Sequence, residues 1–123
     1  MKEECGVAAV YALKNGRPDL ERNVSDLIPR MLLDMQMRGE LSAGITSYNP
    51  HQRKILNTFK RLGTVHEAFR MGVGPRFKKV LQRTKGCAAI GHVRYATCGL
   101  NDVAYAQPFE RTHGRTFKWF AFG

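Results

Sequence analysis

Two stretches of this chain carry residue types that perform chemistry. Cys5 heads the apolar run Cys5-Gly6-Val7-Ala8-Ala9-Val10, behind the short leader Met1-Lys2-Glu3-Glu4. If the leader were removed, Cys5 would hold a thiol and a free α-amine together. Such an amine titrates near ~7.7–8.0, so it can take the thiol proton close to neutral pH. One residue would then supply both nucleophile and base. The competing reading is a buried structural cysteine, which any lone Cys allows.

The second stretch is Lys85-Gly86-Cys87-Ala88-Ala89-Ile90-Gly91-His92-Val93-Arg94-Tyr95-Ala96-Thr97-Cys98-Gly99. It begins as a small-residue, β-branched core segment and ends in a polar, glycine-punctuated turn. Strand ends and the loops after them are where rigid scaffolds present chemistry. Arg94 can grip a carboxylate with two parallel hydrogen bonds, and Thr97 can donate or accept beside it. The plainer alternative for Arg94 is a strand-end arginine bonded to backbone carbonyls. His92 alternates with Val93, shares a face with Arg94 and reads as a core histidine. A third cluster, Arg38-Gly39 with Ser42-Ala43-Gly44-Ile45, has the small residues that let a helix turn into a tightly packed strand. The chain contains no P-loop, no G-x-G-x-x-G fingerprint and no G-x-S-x-G elbow.

The elements that must position these residues follow from periodicity. The nearly continuous apolar run Cys5 to Leu13 suits a strand buried on both faces. Val24, Leu27, Ile28, Met31, Leu32 and Met35 recur at helical spacing as one apolar stripe. Asp26 is the expected N-cap of that helix, which leaves Pro29 in the first turn, and Gly39 is the expected stop. Met31, Met35 and Met37 read as core packing.

Ser42 to Tyr48 and Lys54 to Phe59 read as strands joined through Asn49-Pro50-His51, with Ile55, Asn57 and Phe59 on one face. Thr64 and Glu67 have the capping-box spacing, which predicts a short helix to about Met71. Gly72-Val73-Gly74-Pro75 should break it, and Phe77 to Gln82 should form another. Pro108 biases Gln107 towards extended backbone, Thr112 to Arg115 reads as a turn, and Thr116 to Phe122 as an aromatic-rich final strand.

Composition narrows the class. With 123 residues and 43% hydrophobic content the chain has room for one modest core. No apolar run approaches the ~18 residues of a membrane span and no signal peptide is visible, which together point to the cytoplasm. Cys5, Cys87 and Cys98 form no close pair or C-x-x-C spacing, and the four histidines form no H-E-x-x-H pattern. A structural metal is therefore not expected. The formal charge of +10 is spread over successive elements with no aromatic-basic module, so a solvated basic face or an acidic partner domain is expected rather than nucleic acid.

The clusters stand in a familiar order: Cys5-Gly6-Val7 after a leader, Arg38-Gly39-Glu40-Leu41-Ser42-Ala43-Gly44-Ile45, Ile90 to Gly99, then Ala106-Gln107-Pro108-Phe109. This pattern resembles the glutaminase domain of class II glutamine amidotransferases, and within that group the amidophosphoribosyltransferases. Gly91-His92-Val93-Arg94-Tyr95-Ala96-Thr97 is the discriminating piece, because the sugar-phosphate-aminating relatives carry Thr-Arg-Trp there.

The resemblance implies an α+β fold, the N-terminal portion of an N-terminal-nucleophile αββα four-layer sandwich. Residues 1–4 would be a leader or propeptide, and residues 5–123 the N-terminal portion of the glutaminase domain. It implies that Cys5 attacks the carboxamide of L-glutamine, that Arg38 supports the site near the nucleophile, and that Arg94, Thr97 and Tyr95 bind the substrate. Ammonia would pass to a C-terminal phosphoribosyltransferase domain in a homo-oligomer, for reaction with phosphoribosyl pyrophosphate in purine biosynthesis. No cofactor is implied in the glutaminase domain, since Mg²⁺ would accompany phosphoribosyl pyrophosphate in the other.

The chain departs from the pattern at Met37-Arg38-Gly39-Glu40, where the family has His-Arg-Gly-Gln, keeping the arginine. The family's oxyanion Asn-Gly lies just past a segment like Trp119-Phe120-Ala121-Phe122, and its acidic ligand for the substrate amine lies further on. Neither falls within the chain, which therefore reads as a fragment, inactive alone. A lost oxyanion donor by itself costs ~10²–10³ in turnover. The alternatives are another class II amidotransferase with a different acceptor, or a basic, non-catalytic binding module of the same fold.

Overall fold

A computed structural model describes residues 5–14, 16–35, 42–95, 103–113 and 117–121. It is an α+β arrangement, as the motifs imply. Strands β1 (Gly6–Tyr11), β2 (Ser42–Tyr48), β3 (Leu56–Leu62) and β4 (Ala88–Arg94) form an antiparallel sheet in the order β1-β4-β2-β3. Strands β5 (Phe109–His113) and β6 (Phe117–Ala121) form a separate antiparallel pair. Four helices accompany them among the described residues: α1 (Pro18–Asn23), α2 (Ile28–Asp34), α3 (Val65–Ala68) and α4 (Gly74–Arg83).

The core lies between one face of the large sheet and the helices. Ala8, Ala43, Ile45, Phe59, Ala89 and Val93 point to that face and pack with Ile28 and Leu32 of α2, Val65 and Ala68 of α3, Phe69, and Val80 of α4. Gly91 lets α2 lie flat on the sheet. A Cβ there would sit 2.6 Å from Ile28 Cγ2 and 3.1 Å from Leu32 Cδ1. The opposite face is approached at β2 by residues 106–108, and here Gly44 is the permissive position. A Cβ on Gly44 would run into the Gln107 carbonyl. Lys60 then anchors the segment, its Nζ donating to the Ala106 carbonyl at 2.8 Å and to the Pro108 carbonyl at 3.4 Å.

Several expectations need correcting. β1 is an edge strand with only one buried face: Val7 and Tyr11 are exposed while Gly6 and Ala8 are buried. A run that is apolar throughout does not say what packs on either face of the strand. β2, which has two neighbours, is buried at six consecutive positions, Ser42 to Ser47. The expected helix from Asp26 is instead a series, with α1 and α2 joined by a 3₁₀ turn, Val24–Leu27. Asp26 lies inside that turn and caps nothing.

Pro29, without an N–H and unable to follow a helical Ser25, accounts for the break, and tertiary bonds hold the turn in place. Ser25 Oγ accepts the Gly86 N–H at 2.9 Å and the Ser25 N–H donates to the Gly86 carbonyl at 3.3 Å, tying the turn to the approach of β4. This buries Ser25 and leaves Leu27 half exposed, while Ile28, Leu32, Met31 and Met35 keep the apolar stripe. Met37 and Gly39 lie outside the described residues. β3 starts at Leu56, so Ile55 is in the preceding turn and exposed. α3 ends at Ala68, short of Met71, and α4 opens at Gly74 with Pro75 in its first turn.

Candidate active site

Antiparallel pairing brings the start of β1, the start of β2 and the ends of β3 and β4 to one end of the sheet. Gly6 pairs with Val93, and on the other side of β4 Ser42 pairs with Arg94. Cys5 immediately precedes Gly6, so the register carried one step further sets Cys5 beside Arg94. Two stretches 89 positions apart in sequence, at residues 5 and 94, therefore meet at the same end of two paired strands. Cys5 is exposed and its thiol is free.

The face is set by alternation. Residues directly opposite one another point to the same side of a sheet, and successive residues to opposite sides. Val93 and Ala43 lie in the core, so Arg94 and Ser42 point to the other face, as do His92, Gly44 and Lys60 in the next row. His92 is fully buried on the Arg94 face, the side of the sheet opposite the helix-covered core.

Arg94 is half-buried. Its guanidinium carbon lies 5.6 Å from the centroid of the Tyr105 ring, within range of a cation–π contact. Tyr105 belongs to a 3₁₀ turn, Val103–Tyr105, that leads into the segment anchored by Lys60. Arg94 Nη1 is buried and has no hydrogen-bond partner among the described residues, and the same is true of Ser42 Oγ. Buried polar groups are nearly always paired, and here two orphans face each other across neighbouring strands. Anions that accept two donors, carboxylates above all, suit a guanidinium there.

Of the expected site residues, Cys5 and Arg94 are brought together and Tyr95 follows at the strand end, half-buried. Arg38 and Thr97 lie outside the described residues. Sequence reasoning passed over Ser42 as a site residue, treating it as a packing position, and Tyr105, an unremarkable loop tyrosine. The only local sign was Ser42's place in the small-residue cluster. A cleft of about 310 Å³ lined by Tyr11, Lys14, Arg22, Asn49, Cys87 and neighbours opens at the opposite end of the sheet. It is remote from Cys5 and Arg94.

Elsewhere the basic side chains serve local contacts. Arg61 and Arg83 stack over Phe59 at 4.6 and 5.7 Å, and Lys60 lies 4.8 Å from the Phe109 ring centroid. Burial raises the pKa of Asp26 above the ordinary 3.8, against a lowering influence from Lys85. No helix among the described residues is long and apolar enough to cross a membrane.

Comparison with known proteins gives the following. No family model matches the chain. It is 36% identical over 108 residues to amidophosphoribosyltransferase 1, chloroplastic, of Arabidopsis thaliana, covering 88% of this chain and 16% of that protein. Amidophosphoribosyltransferase of Homo sapiens is 32% identical over 117 residues, covering 94% of this chain and 21% of that one. The solved structure of glutamine phosphoribosylpyrophosphate amidotransferase from B. subtilis, complexed with ADP and GMP, superposes with a TM-score of 0.66. It is 25% identical, with 91% of this chain and 20% of that one covered. A structure described as the allosteric regulatory enzyme of purine biosynthesis superposes at 0.68 with 26% identity over the same shares. The chain thus spans about a fifth of the length of the relatives it matches.

Proposed function

From this kinship with a segment of the amidophosphoribosyltransferases, which are class II glutamine amidotransferases, we propose that the chain carries the nucleophile and the carboxylate anchor of a glutamine-hydrolysing site. The observation that carries the reading is the strand register, which sets Cys5 next to Arg94. In this reading Arg94 holds the α-carboxylate and the carboxamide lies towards the Cys5 thiol.

In the proposed reaction, residues 1–4 are removed and the Cys5 α-amine takes the thiol proton. The sulfur adds to the carboxamide carbon, and the tetrahedral adduct expels ammonia as the amine returns the proton to the leaving nitrogen. A γ-glutamyl thioester remains on Cys5. Water adds to it, glutamate leaves and the thiol is restored. Arg94, with Thr97 and Tyr95, holds the substrate, and Arg38 supports the nucleophile. This half-reaction needs no cofactor. The acceptor is proposed to be phosphoribosyl pyrophosphate, bound with its Mg²⁺ by a phosphoribosyltransferase domain within a cytoplasmic homo-oligomer of purine biosynthesis.

The test is covalent capture. A glutamine analogue carrying an electrophile at the carboxamide carbon should add its mass at Cys5 once residues 1–4 are removed, and excess L-glutamine should protect against it. Cys5→Ala should take up none. Equal labelling of Cys87 or Cys98, or no protection by L-glutamine, would sink the mechanism.

A further inference from the structure

We propose that Ser42 is a second ligand of the substrate carboxylate, donating its hydroxyl alongside the Arg94 guanidinium. This rests on the glutamine-binding reading of Arg94 and extends it to a residue on a different strand.

Ser42 is 1% exposed, at the first position of the central strand β2. Its hydroxyl oxygen is buried and without a hydrogen-bond partner among the described residues, and so is Arg94 Nη1. The two residues are direct cross-strand partners, so their side chains leave the sheet on the same side. A serine hydroxyl could have accepted from the guanidinium, yet neither atom is bonded to the other. Both remain able to donate. A carboxylate has two oxygens and about four acceptor positions, and placed between them it satisfies both at once.

The other buried hydroxyls of β2 are bonded. Thr46 Oγ1 is bonded to Thr58 Oγ1 at 2.8 Å, and Ser47 Oγ donates to the Asn57 carbonyl at 3.5 Å. The Tyr105 ring, itself 47% exposed, lies over Arg94 on this face. An alanine at position 42 would pack without the orphan, so the hydroxyl costs the unliganded fold something that only a ligand returns.

The experiment is a titration by NMR with two probes: L-glutamine, and 4-aminobutanamide, which keeps the carboxamide and amine and lacks the carboxylate. Ser42→Ala should weaken L-glutamine roughly ten- to a hundredfold, the worth of one hydrogen bond to a charged group, and leave 4-aminobutanamide unchanged. The unliganded variant should melt at or above the wild-type temperature. A lower melting temperature with equal weakening of both probes would make Ser42 structural and overturn the proposal. L-glutamine binding lost in Arg94→Ala but intact in Ser42→Ala would discard Ser42 while keeping the parent reading. A wild-type chain that binds no L-glutamine would discard both.

Discussion

Gly44 joins the fold to the candidate site, and Gly44→Ala tests that joint. Its Cβ would run into the Gln107 carbonyl and lie 2.8 Å from Lys60 Cβ and 3.1 Å from Pro108 Cδ. Two of these neighbours belong to a segment whose Ala106 and Pro108 are fully buried, so the segment must lift as a unit. Overpacking of this kind costs ~1–3 kcal/mol. Lifting also strains the Lys60 bonds to the Ala106 and Pro108 carbonyls, and a hydrogen bond from a charged donor is worth ~1.5–3 kcal/mol when lost.

Against this stands ~0.4–1 kcal/mol from stiffening the unfolded chain. The net expectation is a loss of about 2–4 kcal/mol in urea denaturation. Gly74→Ala is the control. Its Cβ meets nothing within 4 Å and it opens α4, so it should be neutral or stabilising by up to ~1 kcal/mol. Because residues 106–108 continue from Tyr105, the Tyr105 ring resonances should shift in Gly44→Ala and stay in Gly74→Ala. If the two variants unfold within ~0.5 kcal/mol of each other, the packing of this segment on β2 is refuted, and with it the placement of Tyr105 over Arg94.

Two further outcomes are expected. Thr64 and Glu67 form a reciprocal capping box, Thr64 Oγ1 accepting the Glu67 N–H at 3.3 Å and Glu67 Oε1 accepting the Thr64 N–H at 3.4 Å; Thr64→Ala should cost ~0.5–2 kcal/mol by the same denaturation, and an unchanged midpoint would show the cap to be idle. Asp26 has its pKa raised above 3.8 by burial, so its contribution to stability is full below 3.8 and is lost as pH rises through the folded value. Asp26→Asn should therefore unfold at higher urea than wild type at neutral pH, with the gap closing on acidification; a gap that widens towards low pH would show that Lys85, not burial, governs the carboxyl.

Much of the scaffold was legible because its causes are local. Ser42 to Tyr48 reads as a strand and is one, and the Thr64–Glu67 spacing caps a helix where the spacing says it should. The stretch ending in Arg94 delivers its arginine to a strand end. Cys5 and Arg94 were recognisable as candidates from residue type, motif and position alone.

What tertiary structure decided are the contacts between distant segments. Hydrophobic content cannot say what covers each face of a strand, so the one-sided burial of β1 came only with the packing of the sheet. Helical spacing cannot see Gly86, whose bonds to Ser25 hold the 3₁₀ turn between α1 and α2, within which Asp26 caps neither helix. Nor could it show Ser42 and Arg94 as facing, buried and unpartnered, because register is a relation between two strands and belongs to neither. The sequence by itself determined which residues could do chemistry; only the antiparallel pairing of β1, β4 and β2 decided that they stand together.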